Sequence, residues 1–76
     1  MTLSEICRGQ KATIKEIADD AVRIQALRFG IAEGTVVTCA EKLPSGPVII
    51  QVKRQELALG RTLAAKILVN PGGEAR

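Results

Sequence analysis

Apolar and polar residues alternate with a period of two in several short segments of this 76-residue chain. That period is typical of β-strands, because successive side chains of a strand point to opposite faces of the sheet. It predicts five strands, over residues 11–17, 34–41, 48–53, 57–59 and 66–69. Val37 and Cys39 are expected to face the interior from the second strand, and Val48, Ile50 and Val52 from the third.

A helix is predicted between the first two strands. Asp19 and Asp20 offer carboxylate oxygens to unpaired backbone amides and place negative charge at the positive end of a helix dipole. Gly30 can take the left-handed conformation that closes a helix, which lets Ile31 fold back against the last turn. The residues after Gly34 are mostly β-branched, so the second strand is expected to begin there.

One stripe of this helix is expected to be buried against the sheet. It comprises Val22, Ala26 and Phe29, with Ile24, Leu27 and Ile31 beside it. Phe29 is the only aromatic residue of the chain. Proline-rich ligands bind grooves lined by aromatic rings, and single-stranded nucleic acids stack on such rings. With Phe29 buried, neither mode of binding has the rings it needs.

The remaining segments connect these elements. Leu3 and Ile6 predict an ordered N-terminal arm, Pro44 to Pro47 a turn, and residues 60–65 a single helical turn. The pattern as a whole predicts a mainly β fold, a small SH3-like barrel of about five strands with one helix inserted after the first. One domain is expected over residues 1–70, followed by a flexible C-terminal tail over residues 71–76.

Composition narrows the class of protein. No apolar run approaches the roughly 20 residues that span a bilayer, and the N-terminus lacks the pattern of a signal peptide, so a cytoplasmic protein without membrane insertion is expected. Cys7 and Cys39 stand far apart without paired spacing, which implies neither a disulfide framework nor a zinc site. Both are expected to be reduced.

The residues that usually carry chemistry are mostly missing from the sequence. It contains no histidine, no cysteine motif typical of metal sites, and no Ser or Cys nucleophile set beside a plausible base. Carboxylates are available for a weakly held divalent ion, but near strand ends and helix starts they usually act as caps or solvated charges. We therefore expect no enzyme, no catalytic residue, no cofactor, no small-molecule substrate and no metal ligand.

The net charge of +3 is spread along the chain, and only Lys53 and Arg54 form a contiguous basic pair. Interspersed charges of both signs are the usual pattern of a solvated surface. The excess is also compatible with an acidic protein partner, anionic headgroups or nucleic acid. Charge alone leaves these alternatives open.

The order and spacing of several segments resemble the FeoA family of ferrous iron transport accessory proteins. The resemblance rests on Leu27, Gly30–Ile31 and Gly34 at the joint between helix and strand, and it continues through residues 37–39 and 57–59. The SH3-like domain of iron-dependent repressors is similar. The resemblance implies a cytoplasmic accessory or regulatory protein of ferrous iron uptake that docks on the cytosolic part of the membrane transporter FeoB.

A partner surface is expected on the hairpin of the third and fourth strands, with Lys53 and Arg54 at its tip. Ile49, Leu63 and Leu68 are apolar on the presumed outward face and would add a docking patch if they were neighbours. Two alternatives remain open: a small barrel that contacts nucleic-acid phosphates, and a metal-responsive sensor domain. The sequence does not determine the oligomeric state.

Overall fold

The structure is a computed structural model and describes residues 1–72. In chain order it contains a 3-10 helix at Leu3–Glu5, β1 at Lys11–Glu16, α1 at Asp20–Arg28, β2 at Val36–Lys42, β3 at Val48–Val52, β4 at Gln55–Leu59, α2 at Arg61–Ala64 and β5 at Leu68–Pro71. The predicted five strands and the helix after the first of them are confirmed. The predicted helical turn near residue 60 is α2.

The strands form one antiparallel sheet in the order β4, β3, β2, β1, β5. The register shifts between Cys39 and Glu41 in β2 and between Ile14 and Glu16 in β1. A shift of this kind places an extra residue in one strand, which bends the strand and increases its twist. The two bends curve the sheet around a single core.

The start and the end of α1 are as predicted. The Asp19 side chain accepts a hydrogen bond from the amide of Val22 at 3.1 Å and caps the helix. At the other end Gly30 is left-handed, with φ of 80°. Its amide donates to Leu27, and the amide of Ile31 donates to Ala26 at 2.9 Å, which is the double hydrogen bond of a Schellman motif.

The core of the described residues is wholly apolar and continuous. No polar or charged residue among them is buried. The core includes the inward residues predicted for β2 and β3, which are all fully buried: Val37, Cys39, Val48, Ile50 and Val52. Aliphatic burial is therefore the main stabilising contribution in this domain.

The prediction that Phe29 lies in the core is wrong. Its side chain is 39% exposed, and Ile24 and Leu27 are 58% and 56% exposed. The turn at Gly30 brings Ile31 back beneath the helix, where Ile31 is fully buried. Ile31 thus fills the space against the sheet that Phe29 was expected to fill.

β5 begins two residues later than predicted, at Leu68. The amides of Lys66 and Ile67 still close the last turn of α2, with hydrogen bonds of 3.0 and 3.2 Å, so strand pairing starts after them. The strand then continues to Pro71, where it pairs with β1. The rest of the expected tail, residues 73–76, lies outside the described residues, and the domain boundary at residue 70 stays a prediction.

The N-terminal arm is ordered, as predicted, and lies along β5. The amide of Val69 donates to the carbonyl oxygen of Met1 at 2.9 Å. The amide of Leu3 donates to the carbonyl oxygen of Ile67 at 2.8 Å, and the Leu3 side chain is fully buried. The arm therefore covers the outer edge of β5 and anchors itself in the core.

Candidate functional site

The groups that could carry chemistry are considered first. Residues 1–72 contain no group of three or more His, Cys, Asp or Glu side chains placed to hold a metal ion. Cys7 and Cys39 are both free thiols, and burial raises the pKa of the Cys39 thiol. Because the thiolate is the nucleophile, Cys39 is disfavoured as a reactive group. No helix within residues 1–72 has the length and apolar character needed to cross a membrane.

The most basic part of this surface is the turn between β3 and β4. Val52 pairs with Gln55, so Lys53 and Arg54 form a two-residue hairpin loop. Both side chains are exposed, and neither forms an ion pair with a residue of the described part of the chain. Lys53 has a φ of 56°, a left-handed conformation that is uncommon for residues other than glycine. The tight turn thus holds two adjacent positive charges at the end of the hairpin.

Three other basic side chains have acidic neighbours. Lys66 lies 3.6 Å from a carboxylate oxygen of Asp19, and Arg8 lies 3.7 Å from one of Glu41. Arg23 is paired with an acidic residue of its own helix. Exposed pairs of this kind contribute little to stability, but they neutralise charge locally. Lys53 and Arg54 are adjacent basic residues that lack such an ion pair within residues 1–72.

Ile49 lies on the outer face of this hairpin. It is half-buried and stands directly opposite the exposed Ala58 of β4. The next pair on the same face toward the tip is Gln51 and Glu56, and both of these residues are exposed. The structure therefore places a small apolar spot beside β4, in the same hairpin as the basic tip.

Leu63 and Leu68 lie on other elements. Leu63 belongs to α2, is half-buried and packs against the core. Leu68 is 37% exposed and begins β5, which β1 and β2 separate from β3 in the sheet. The structure brings Lys53, Arg54 and Ile49 together on one hairpin. It places the other two predicted contacts elsewhere.

Sequence reasoning missed a second exposed apolar surface, on the outer side of α1. Ile24 and Leu27 lie on the opposite side of the helix from the buried Val22 and Ala26. Leu27 also lines a shallow groove of about 280 Å³, whose other lining residues are Ile17, Arg23, Ala32 and Glu33. A helical projection with 100° per residue gives the signal, because it separates the two pairs of residues on opposite faces.

Arg61 lies just beyond the other end of β4. Its guanidinium group donates to the carbonyl oxygen of Leu43 at 2.7 Å. Its Nε atom is buried and has no hydrogen-bond partner among residues 1–72. β4 therefore has basic side chains at both ends, with Lys53 and Arg54 before it and Arg61 after it.

Comparisons with known proteins agree with this architecture. A crystal structure of an iron uptake regulatory protein, FeoA, matches with a TM-score of 0.86 and 29% identity, covering 93% of this chain and 96% of that one. FeoA of Stenotrophomonas maltophilia in complex with zinc matches with a TM-score of 0.78 and 28% identity, covering 92% and 89%. That protein is described as a prokaryotic SH3 domain protein and a candidate activating factor for ferrous iron transport.

A manganese-dependent transcriptional repressor shares the fold, with a TM-score of 0.79 at 18% identity, over 88% of this chain and 39% of the repressor. No curated protein sequence matches the chain significantly. The family model of the FeoA domain matches residues 1–71. This match covers all five strands, α1, and the connection from Gly30 to Gly34 on which the resemblance in the sequence rests. The chain belongs to the FeoA family.

Proposed function

We propose that this protein is a non-enzymatic, cytoplasmic accessory factor of ferrous iron uptake that docks on the cytosolic part of the membrane transporter FeoB. The observation that carries the proposal is the match of the FeoA domain model to residues 1–71. The candidate role of the Stenotrophomonas maltophilia relative in activating ferrous iron transport supports the same function. A binding surface without a cluster of catalytic or metal-ligating groups in residues 1–72 suits a protein that acts through contact.

The docking surface that we propose is the β3–β4 hairpin, with Lys53 and Arg54 at its tip and Ile49 on its outer face. Two adjacent charges without ion-pair partners in residues 1–72, held on a tight turn, can steer an acidic surface toward the hairpin. A half-buried isoleucine beside an exposed alanine adds apolar contact once the partner has arrived. Leu63 and Leu68 are proposed as separate contacts at the edge of the interface, because they lie on α2 and β5.

Binding to the purified cytosolic domain of FeoB, measured by calorimetry, tests the proposal. Replacing Lys53 and Arg54 together by Glu is expected to weaken binding about tenfold, the equivalent of about 1.4 kcal/mol. The double replacement of Lys11 and Lys15 by Glu is the matched control. It changes the net charge by the same amount at exposed positions of β1, so it is expected to leave the affinity nearly unchanged.

Affinity measurements on three single substitutions distinguish the rival docking surfaces. Leu68→Asp is expected to weaken binding less than the hairpin variant. Leu63→Asp must first pass a thermal melt, because Leu63 packs against the core. If Leu27→Gln on α1 abolishes binding while the hairpin variants do not, the docking surface is wrong.

The alternative functions have distinct signatures. Nucleic-acid binding through phosphates predicts a gel shift at low salt that disappears steeply as salt is added. A metal sensor predicts saturable binding of ferrous iron by the protein alone. Either result, together with no measurable affinity for the cytosolic domain, would overturn the proposed function.

A further inference from the structure

The two edges of the sheet differ in whether another segment of the chain forms backbone hydrogen bonds along them. β5 is hydrogen-bonded on its outer side by residues 1–3, and Thr2 forms a bridge with Leu68. β4 pairs only with β3. No other segment of residues 1–72 donates or accepts a backbone hydrogen bond along its outer side.

The hairpin geometry identifies which backbone groups of β4 are free. The pair Val52 and Gln55 closes a two-residue turn, in which the amide of the fourth residue bonds to the carbonyl of the first. Antiparallel pairs alternate between bonded and non-bonded, so Leu57 and Leu59 also bond to β3. The amide and carbonyl groups of Glu56 and Ala58 therefore point outward. Four polar backbone groups are available to a further strand.

Natural proteins usually protect such an edge, and β4 lacks the usual devices. Proline, a bulge or an inward-pointing charge discourages pairing with another chain. The five pairs between β3 and β4 follow one another without a register shift, and β4 contains no proline. The opposite edge strand, β5, ends in Pro71 and has a register shift against β1. The open edge is therefore regular enough to accept a partner strand.

The charges around β4 indicate what kind of strand fits. Lys53 and Arg54 precede the strand and Arg61 follows it, while Glu56 is the one acidic residue within it. A second copy of this chain pairing antiparallel about Leu57 would bring the basic turn at Lys53 and Arg54 of one copy toward Arg61 of the other. Like charges brought close together repel each other. An acidic segment avoids this repulsion and gains attraction at both ends.

We propose that the outer edge of β4 binds an extended acidic segment of the partner as a sixth strand of the sheet. The outward amides and carbonyls of Glu56 and Ala58 supply the backbone hydrogen bonds. Acidic side chains at the end of the segment beside the hairpin turn meet Lys53 and Arg54, and those at the other end lie toward Arg61, whose guanidinium group is hydrogen-bonded to Leu43. The inference rests on the proposed function only in taking the cytosolic part of the transporter as the source of the segment.

Hydrogen exchange measured by NMR tests strand addition directly. The probe is a synthetic nine-residue peptide of alternating valine and threonine with two acidic residues at each end. Saturating peptide is expected to slow exchange of the Glu56 and Ala58 amides at least about tenfold, because both become hydrogen-bonded. The same peptide with lysines at its ends is expected to give little protection at equal concentration.

Two variants at one position separate pairing from simple contact. Ala58→Pro removes an outward amide and leaves the ladder to β3 intact, so it is expected to abolish peptide binding. Ala58→Thr keeps the amide and adds a side chain suited to a strand, so it is expected to bind like the native protein. If Ala58→Pro does not fold, a peptide N-methylated at alternate residues replaces it and is expected not to bind.

The outcomes distinguish this inference from the proposed function. No protection of Glu56 and Ala58 at millimolar acidic peptide overturns strand addition, even if the transporter domain binds the hairpin. Equal binding of the transporter domain to Ala58→Pro and Ala58→Thr also overturns it. Protection by the peptide, with no affinity for the transporter domain, supports the acidic strand site and contradicts the proposed partner.

Discussion

The β5 edge and the β4 edge belong to the same five-stranded sheet but have opposite surroundings. Residues 1–3 run along β5 and form backbone hydrogen bonds of 2.8 Å with Ile67 and 2.9 Å with Val69, and the Leu3 side chain is completely buried. Beside β4 the described part of the chain provides nothing comparable.

We expect the covered edge to contribute mainly to stability and the open edge mainly to recognition of a partner. The covered edge joins the N-terminus to the core, so its contacts contribute directly to the free energy of folding. The open edge keeps its outward backbone groups solvated, and water satisfies them until a partner strand arrives. Substitutions at the covered edge should therefore change stability most, and substitutions on the outer side of β4 should change binding most.

The largest expected effect is from Leu3→Ala at the covered edge. The Leu3 side chain is fully buried, so its truncation should cost about 4 kcal/mol through lost burial and the cavity left behind. The free energy of unfolding from urea titration, followed by far-ultraviolet circular dichroism, checks this. Leu43→Ala is the matched control, because Leu43 is 44% exposed and should change stability by under about 1 kcal/mol. Equal losses in the two variants would contradict the anchoring role of the arm.

A pair of proline substitutions in β4 should give the next largest effect and separates the two sides of the strand. Leu57→Pro removes an amide that bonds to β3 and should cost about 3 kcal/mol or prevent folding. Ala58→Pro removes an amide that points outward and should cost under about 1 kcal/mol. Thermal melts of both proteins provide the comparison. A larger loss in Ala58→Pro would show that the amide of Ala58, rather than that of Leu57, bonds to β3. The outward backbone groups of β4 would then belong to Leu57 instead of Ala58.

The smallest expected effect is a loosening of the covered edge in acid. The Glu5 carboxylate accepts hydrogen bonds from the Thr2 amide at 2.7 Å and the Thr2 hydroxyl at 3.1 Å, and these hold the pKa of Glu5 below its ordinary 4.5. Because the folded pKa is depressed, this stabilisation is present above about pH 4.5 and is lost as pH falls through the folded value.

Hydrogen exchange of the Leu3 amide as a function of pH measures this effect. Its protection should fall in that acidic window in the native protein and should stay flatter in Glu5→Gln. The helix cap at Asp19 also weakens in acid, since the hydrogen bond from Val22 lowers the pKa of that carboxyl. That loss is common to both proteins, so the difference between them isolates Glu5. Identical pH profiles would show that the carboxylate does not stabilise the arm.

Most of the fold follows from local patterns in the sequence. The alternation in β2 and β3 predicts which side chains are buried, because a strand has only two faces. Gly30 predicts the end of α1, because few other residues take a left-handed conformation easily. Phe29 shows the limit of such reasoning, since its exposure depends on where Ile31 packs after the turn.

The candidate site could also be predicted from the sequence only in part. The sequence identifies Lys53 and Arg54 as the one contiguous basic pair, and its hairpin pattern places them at a tip. It does not show that Ile49 stands opposite Ala58, nor which strands are neighbours in the sheet and so whether Leu63 and Leu68 lie near the hairpin. That depends on strand order and register, which are set by contacts between residues distant in the chain.

The sequence by itself determined the number of strands, the helix after β1, the aliphatic core and the resemblance to the family, because each of these depends on the order and spacing of apolar residues and glycines along the chain. Only the tertiary structure decided which edge of the sheet is covered and which apolar residues of α1 face solvent. Both depend on how separate segments compete for the same surface of the sheet. The N-terminal arm occupies the edge of β5, Ile31 occupies the space beneath α1, and no segment within residues 1–72 pairs with the outer edge of β4.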